Sequence, residues 1–390
     1  MRLLVYRWNE LNDDVLVENL IKLGYEIVVF ECACENYMID MKFAFELMKQ
    51  IEAEKIEGIV TFNYIPVISM VCDIKKTPYF AWIYDSPHNT LYAKSIFSDC
   101  NRVGNFDRAL VKDLNLLGIQ NVFHLPLAVD TEYFSRVWDN PKIAPADIAF
   151  VGKLYNDQWN YYDKLREEYK GDQAEVWDRT DALIDKQCFS WEENLLKREQ
   201  MGEDMDYFLQ LARQESLLFG EEFIAHDEDT VCKKIFDRKV TEIERQSLVQ
   251  GITGLAERKG YDFKLYTSSS YDNRYNVGRS DYKTETPAVF HKSRINLNLT
   301  LRSIRTGIPL RVLDILGCGG FCLTNPQEEI LEYFEVDKEI VVYNSLEECL
   351  DKIDYYLSHE EERSAIATRG FEKVKQRFNY KIGLEKLLNS

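Results

Sequence analysis

Short apolar runs alternate with helical stretches at both ends of this chain. Few folds accommodate that order other than parallel strands joined by helices. Arg2 to Tyr6 reads as a strand, Asp13 to Leu23 as a helix stopped by Gly24, and Glu26 to Phe30 as a second strand. A helix around Met41 to Glu54, strand Gly58 to Phe62, a helix around Ile65 to Ile74 and strand Tyr79 to Tyr84 continue the order. After Ser135 to Pro145, a polar stretch carrying Pro141 and Pro145, a second alternation starts with strand Asp147 to Val151. It resumes with Asp262 to Thr267 and closes with Ile340 to Tyr343 and an amphipathic helical end from Leu346. Two α/β domains are expected, since 390 residues exceed one ordinary core. The acidic region from Asn160 to Arg258 is poor in β-branched runs and is expected to form inserted helices with their charges on a solvated face.

Composition narrows the function classes. With 66 acidic against 48 basic residues the net charge is −18, which repels phosphate backbones and anionic lipid. Nucleic acid is therefore not an expected partner, and no run approaches a membrane-spanning length. Nine cysteines without a Cys-x-x-Cys pair fit reduced packing residues in a cytoplasmic protein. The loop after the first strand, Arg7-Trp8-Asn9-Glu10, contains no glycine, which disfavours a dinucleotide site there.

Chemistry-bearing residues concentrate in the stretch 291–325, HKSRINLNLTLRSIRTGIPLRVLDILGCGGFCLTN. Ile295, Leu297, Leu299 and Leu301 alternate with Asn296, Asn298, Thr300 and Arg302, the period of a strand. Its polar face is either an exposed edge or, in an internal strand, a set of groups that needs a ligand or a neighbour. A loop with Arg305, Thr306 and Gly307 follows, then Pro309 where a helix would start and Gly317 where it would stop. Arg311 and Asp314 share one helix face, as a surface ion pair or as a ligand-binding pair. Lys153, Arg294, Arg302, Arg305 and Arg311 are expected along one wall of an interdomain cleft, where guanidinium forks and a helix N-terminus suit a diphosphate. Gly319 and Gly320 would let backbone amides approach it. Gly152-Lys153 after a strand is a weak phosphate signal, and Asp85-Ser86-Pro87-His88 after another strand is either a capping turn or part of a site.

The stretch SRINLNLTLRSIRTGIPLRVLDILGCGGFCLTN, with WIYDSPHNTL, LPLAVDTEYF and FVGKLY, resembles the CgeB-like glycosyltransferases, a group similar to the nucleotide-sugar enzymes of GT-B fold. The resemblance implies an α/β protein with two Rossmann-like domains facing a cleft. Residues 1–143 would bind the acceptor, and 144–370 the donor, with the helical insertion at about 160–258; residues 371–390 would cross back to the first domain. It implies transfer from a nucleotide-diphosphate sugar, UDP-sugar favoured, to a glycan, protein or small-molecule hydroxyl, with no metal and no further cofactor. It places Arg311, Gly152 and Lys153 at the diphosphate and Asp314 at the ribose. Asn298, Arg302, Arg305, Thr306, Gly307, Gly319 and Gly320 fall in the same donor region, and the resemblance makes Asp85 and His88 the catalytic residues, taking the acceptor hydroxyl's proton or orienting the acceptor. The sequence departs from the Glu-x7-Glu pattern of that wider set, since Thr306 stands where the first carboxylate would be. From its position the insertion is expected to shape the acceptor site.

Overall fold

The computed structural model describes residues 1–390 except 9–11, 192–193 and 225, so Asn9 and Glu10 of the first loop lie outside the described residues. Two six-stranded sheets, all parallel, divide the chain. The first contains β1 (Arg2–Tyr6), β2 (Glu26–Phe30), β3 (Gly58–Phe62), β4 (Tyr79–Ile83), β5 (Asn101–Asn105) and β6 (Val122–His124), in the order β2-β1-β3-β4-β5-β6. The second contains β7 (Ala146–Val151), β8 (Phe263–Tyr266), β9 (Asn276–Gly278), β10 (Ser293–Asn298), β11 (Cys322–Thr324) and β12 (Val341–Val342), in the order β12-β11-β10-β7-β8-β9. The strand order reverses between β1 and β3 and between β7 and β10, and a crevice opens beyond the carboxyl ends at each reversal.

Strands β1, β3 and β4 are almost wholly apolar because both sheet faces are covered. Leu3, Val5 and Trp82 enter one apolar cluster while Leu4, Tyr6 and Ile83 enter another. The first of these runs across the junction of the halves through Phe106, Val129 and Phe134 to the helix Leu310–Gly317. β10 ends at Asn298, so Leu299 to Leu301 belong to the loop rather than the strand. Its Ser293, Asn296 and Asn298 are buried, not an exposed edge.

The C-terminal helix Tyr380–Leu388 packs on the first sheet, with the Tyr380 ring 5.8 Å from Trp82 and 6.5 Å from Phe62. Gly383 permits the approach, since a Cβ there would fall 2.0 Å from the Trp82 ring. Gly383→Ala is expected to cost about 1–3 kcal/mol through overpacking. Urea unfolding checks this, and an unchanged midpoint would show that the helix shifts freely.

The insertion is helical, as expected, and includes Tyr161–Tyr169, Ala174–Gln187 and Asp204–Gln214 around a core of Tyr162, Trp177, Phe208 and Phe236. The long helix Asp237–Lys259 departs from a solvated charge run. Asp237, Glu242, Glu244 and Arg245 are all buried, because this helix passes under the second sheet's carboxyl edge. The insertion also grips the first half: Ile224 N–H donates to the Tyr92 carbonyl at 2.7 Å and the Tyr92 hydroxyl to Asp229 at 2.9 Å.

Candidate active site

The crevice between β7 and β10 is filled by a side chain that sequence patterning hides. Arg245 sits on the long helix and donates to the Lys153 carbonyl at 2.6 Å and to the Leu299 carbonyl at 2.5 Å, tying together the loops that leave the two strands. Gly152 makes room, since a Cβ there would lie 3.2 Å from the guanidinium. The Arg245 side chain lies over the Tyr155 ring at 4.8 Å. Burial lowers its pKa from the usual value, and the Arg311 cation adds to that. At this corner Arg245 Nε and Arg311 Nη1 are buried donors without a hydrogen-bond partner. Arg311 Nη1 has Asp314 3.8 Å away. Lys153 is exposed beside them. A buried donor without an acceptor is costly, and an anion at this corner would remove that cost.

Helix Leu310–Gly317 points its N-terminus toward the same edge, because it leaves the carboxyl end of β10 and must return to the amino end of β11. That path also corrects two expectations. Gly319 and Gly320 lie past the far end of the helix, roughly 12 Å along it from its start, and so away from the carboxyl-edge loops. Gly319 neighbours His291, and a Cβ on Gly320 would meet the Phe290 carbonyl at 2.7 Å. Arg294 likewise sits near the amino end of β10, paired with Asp147 at 2.9 Å, so the five basic residues do not share one wall.

Asp314 is buried one turn into the helix and accepts from the Tyr282 hydroxyl at 2.9 Å. Burial pushes its carboxyl up to about 6, against the pull of Arg311 and the tyrosine. The next residue, Lys283, pairs with Asp14 of the first half at 2.7 Å, so Asp314 stands close to the junction between the halves.

The remaining residues of the stretch are engaged by protein. Asn298 donates to Thr324 Oγ1 at 2.9 Å and Thr300 Oγ1 at 3.1 Å. Arg302 is saturated by Glu244 and by the carbonyls of Gln187 and Ser190. Arg305 pairs with Asp113 of the first half at 2.7 Å. The Thr306 hydroxyl lies 2.9 Å from Asp107 and 3.1 Å from Glu329. A carboxylate in its place would face two others, which accounts for the departure from Glu-x7-Glu. Gly307 lets the loop press on the Phe106 carbonyl, 2.7 Å from where a Cβ would stand. Residues 305–307 are thus the seat of the second half on the first.

Asp85 and His88 follow β4 on the opposite side of the cleft, where Ser86 and Ser303 hydroxyls meet at 3.2 Å. Asp85 is exposed and accepts from Asn63 Nδ2 at 2.8 Å. His88 Nε2 is engaged by the Tyr64 N–H at 3.0 Å and by Thr90 Oγ1 at 2.7 Å, and burial lowers its pKa. That nitrogen is therefore not free to take a ligand's proton, which leaves Asp85 as the more available of the two. Sequence reasoning missed Asn63, whose φ of 60° turns its amide back onto the Tyr84 and Asp85 backbone. The signal was a lone Asn directly after an apolar strand.

A family model described as "Glycosyl transferase-like" matches residues 238–389, beginning one residue into the Asp237–Lys259 helix. No curated protein matches by sequence. Among solved structures, a glycosyltransferase from Rickettsia africae is 11% identical over 100% of this chain and 97% of its own, with a TM-score of 0.52. The Anabaena protein Alr3699/HepE in complex with UDP-glucose is 10% identical over 100% and 98%, with a TM-score of 0.52. A UDP-forming α,α-trehalose-phosphate synthase from Burkholderia xenovorans is 11% identical over 100% and 98%, with a TM-score of 0.50. The chain has the GT-B fold of these proteins, and its residues 238–389 are similar to a glycosyl transferase-like family.

Proposed function

We propose that this chain transfers a sugar from a nucleotide-diphosphate sugar, UDP-sugar first, to a hydroxyl acceptor in the cleft between its halves, without a metal ion. The observation that carries the reading is the corner between β7 and β10. There Arg245 Nε and Arg311 Nη1 hold unspent buried donors beside exposed Lys153 and a helix N-terminus. These groups suit a diphosphate, whose negative charge grows as the bond to the sugar breaks. Asp314, one turn along the helix, stands where a carboxylate can accept from ribose hydroxyls. Asp85 is the group that would receive or orient the acceptor hydroxyl. The similarity to a transferase-like family supports the reaction class, and the UDP-glucose held by the Anabaena protein makes that donor the first to try.

Calorimetry with UDP and UDP-glucose tests the donor site. Arg311→Ala is expected to weaken UDP binding about tenfold, the worth of one charge-assisted hydrogen bond. Slow release of glucose from UDP-glucose should persist in EDTA. No nucleotide binding, or equal binding by Arg311→Ala, would remove the assignment. The engagement of His88 Nε2 by Tyr64 favours a second reading, in which the site holds a nucleotide sugar without turnover. Tight binding with no hydrolysis or transfer by the wild type would select it.

A further inference from the structure

The insertion sends an arm, residues 189–191 and 194–197, across the carboxyl edge of the second sheet, and the aromatic rings of Phe189 and Trp191 are held in place before any ligand arrives. Phe189 N–H donates to Glu244 at 2.7 Å, the Trp191 indole N–H to the Asn344 carbonyl at 3.1 Å, and Arg302 to the Ser190 carbonyl at 2.7 Å. Arg302 also lies over the Trp191 ring at 4.0 Å. The Phe189 and Trp191 rings stand perpendicular, 6.4 Å apart. They open on a groove of ≈ 800 Å³ that contains Thr306, Gln327, Glu328 and Asn344. Through Trp191, Arg305 and Gln327 the groove joins a smaller cavity of ≈ 200 Å³ walled by Asp237.

Aromatic faces ringed by amides, a guanidinium and carboxylates form a surface with one apolar plane and many hydrogen-bonding edges. A pyranose has the same two-sided character: C–H groups on its faces and hydroxyls at its rim. The groove is within the size range of small-ligand sites. Both guanidiniums of the lining are already paired, Arg302 with Glu244 and Arg305 with Asp113, so beside exposed Lys197 a phosphate would also meet the carboxylates of Asp237 and Glu328, whereas hydroxyls donate to them. Unspent guanidinium donors lie instead at the β7–β10 corner, on Arg245 and Arg311.

We infer that the arm's Trp191, with Asp237 behind it, forms a saccharide subsite that takes the acceptor of the reaction. This rests on the transferase reading, but the subsite is measurable without turnover. The full chain, saturated with UDP, is titrated with maltose, cellobiose and N,N′-diacetylchitobiose by saturation-transfer NMR. At least one is expected to bind. Trp191→Ala is expected to weaken that binding tenfold or more, Asp237→Asn about fivefold, and Trp191→Phe, which keeps an aromatic face, less than threefold. The urea-unfolding midpoint of each variant reports an intact fold, and its UDP affinity is measured in parallel. Three outcomes would overturn the subsite: no disaccharide bound by the wild type, binding that survives Trp191→Ala within a factor of two, or a parallel fall in UDP affinity, which would make the ring a platform for the base. Failure of the transferase reading shows separately, as a wild type that binds neither UDP nor UDP-glucose.

Discussion

Replacing Arg302 by methionine is expected to lower the unfolding free energy by about 3–5 kcal/mol, the cost of stripping one partner from a buried ion pair. Glu244 is 0% exposed, and burial raises its carboxyl pKa while Arg302 holds it down. Without the guanidinium, Glu244 keeps the Phe189 N–H, and the carbonyls of Gln187 and Ser190 each lose one donor while keeping the other, the Ser190 N–H and Gln187 Nε2 respectively. The double variant Arg302→Met/Glu244→Leu removes the stranded charge as well and is expected to recover at least half of the loss, since apolar replacements of buried pairs are often nearly neutral. Urea unfolding of the wild type, both single variants and the double variant measures the coupling. Additive losses would mean that the two charges do not act as a pair.

That ion pair also shows where sequence reading stops. The alternation of apolar and polar residues in 295–302 was legible, and so was the helix that follows with its Arg311–Asp314 face. What periodicity could not tell is that β10 lies inside a sheet covered on both faces, so its asparagines turn to neighbours rather than to a ligand. Asn298 reaches Thr324 on β11, a contact that depends on the register between two strands 24 residues apart or more. Arg302 finds Glu244, which lies 58 residues away in a region that reads as a solvated acidic helix. Arg245 was hidden for the same reason: one basic residue in a charge-rich helix has no local mark that distinguishes a crevice from solvent. Gly319 and Gly320 failed differently. Their turn was visible, but its distance from the strand's carboxyl end follows only from the return path of the helix. The two α/β halves were readable because parallel sheets impose their alternation on every strand.

Asp237 is the residue whose retention most needs a function. It is 7% exposed, and burial pushes its carboxyl up to about 7, with Asp229 adding to this and Lys233, Arg302 and Arg305 opposing it. In the unfolded chain the same group titrates near 3.8. Between these values the folded protein binds more protons than the unfolded one, so stability falls as pH rises through that window and levels off above about 7. Asp237→Asn removes the dependence. At pH 5.5 the wild type already bears part of the cost of ionisation, and at pH 8.5 all of it. The stability advantage of Asp237→Asn is therefore expected to grow by about 2 kcal/mol between those two pH values, at 1.36 kcal/mol per pKa unit. Urea unfolding at both values checks the result, and an advantage that is the same at both would show a carboxyl titrating in the ordinary range. A variant that gains stability while losing saccharide affinity would mark Asp237 as held in the cavity for its chemistry, against the preference of the fold.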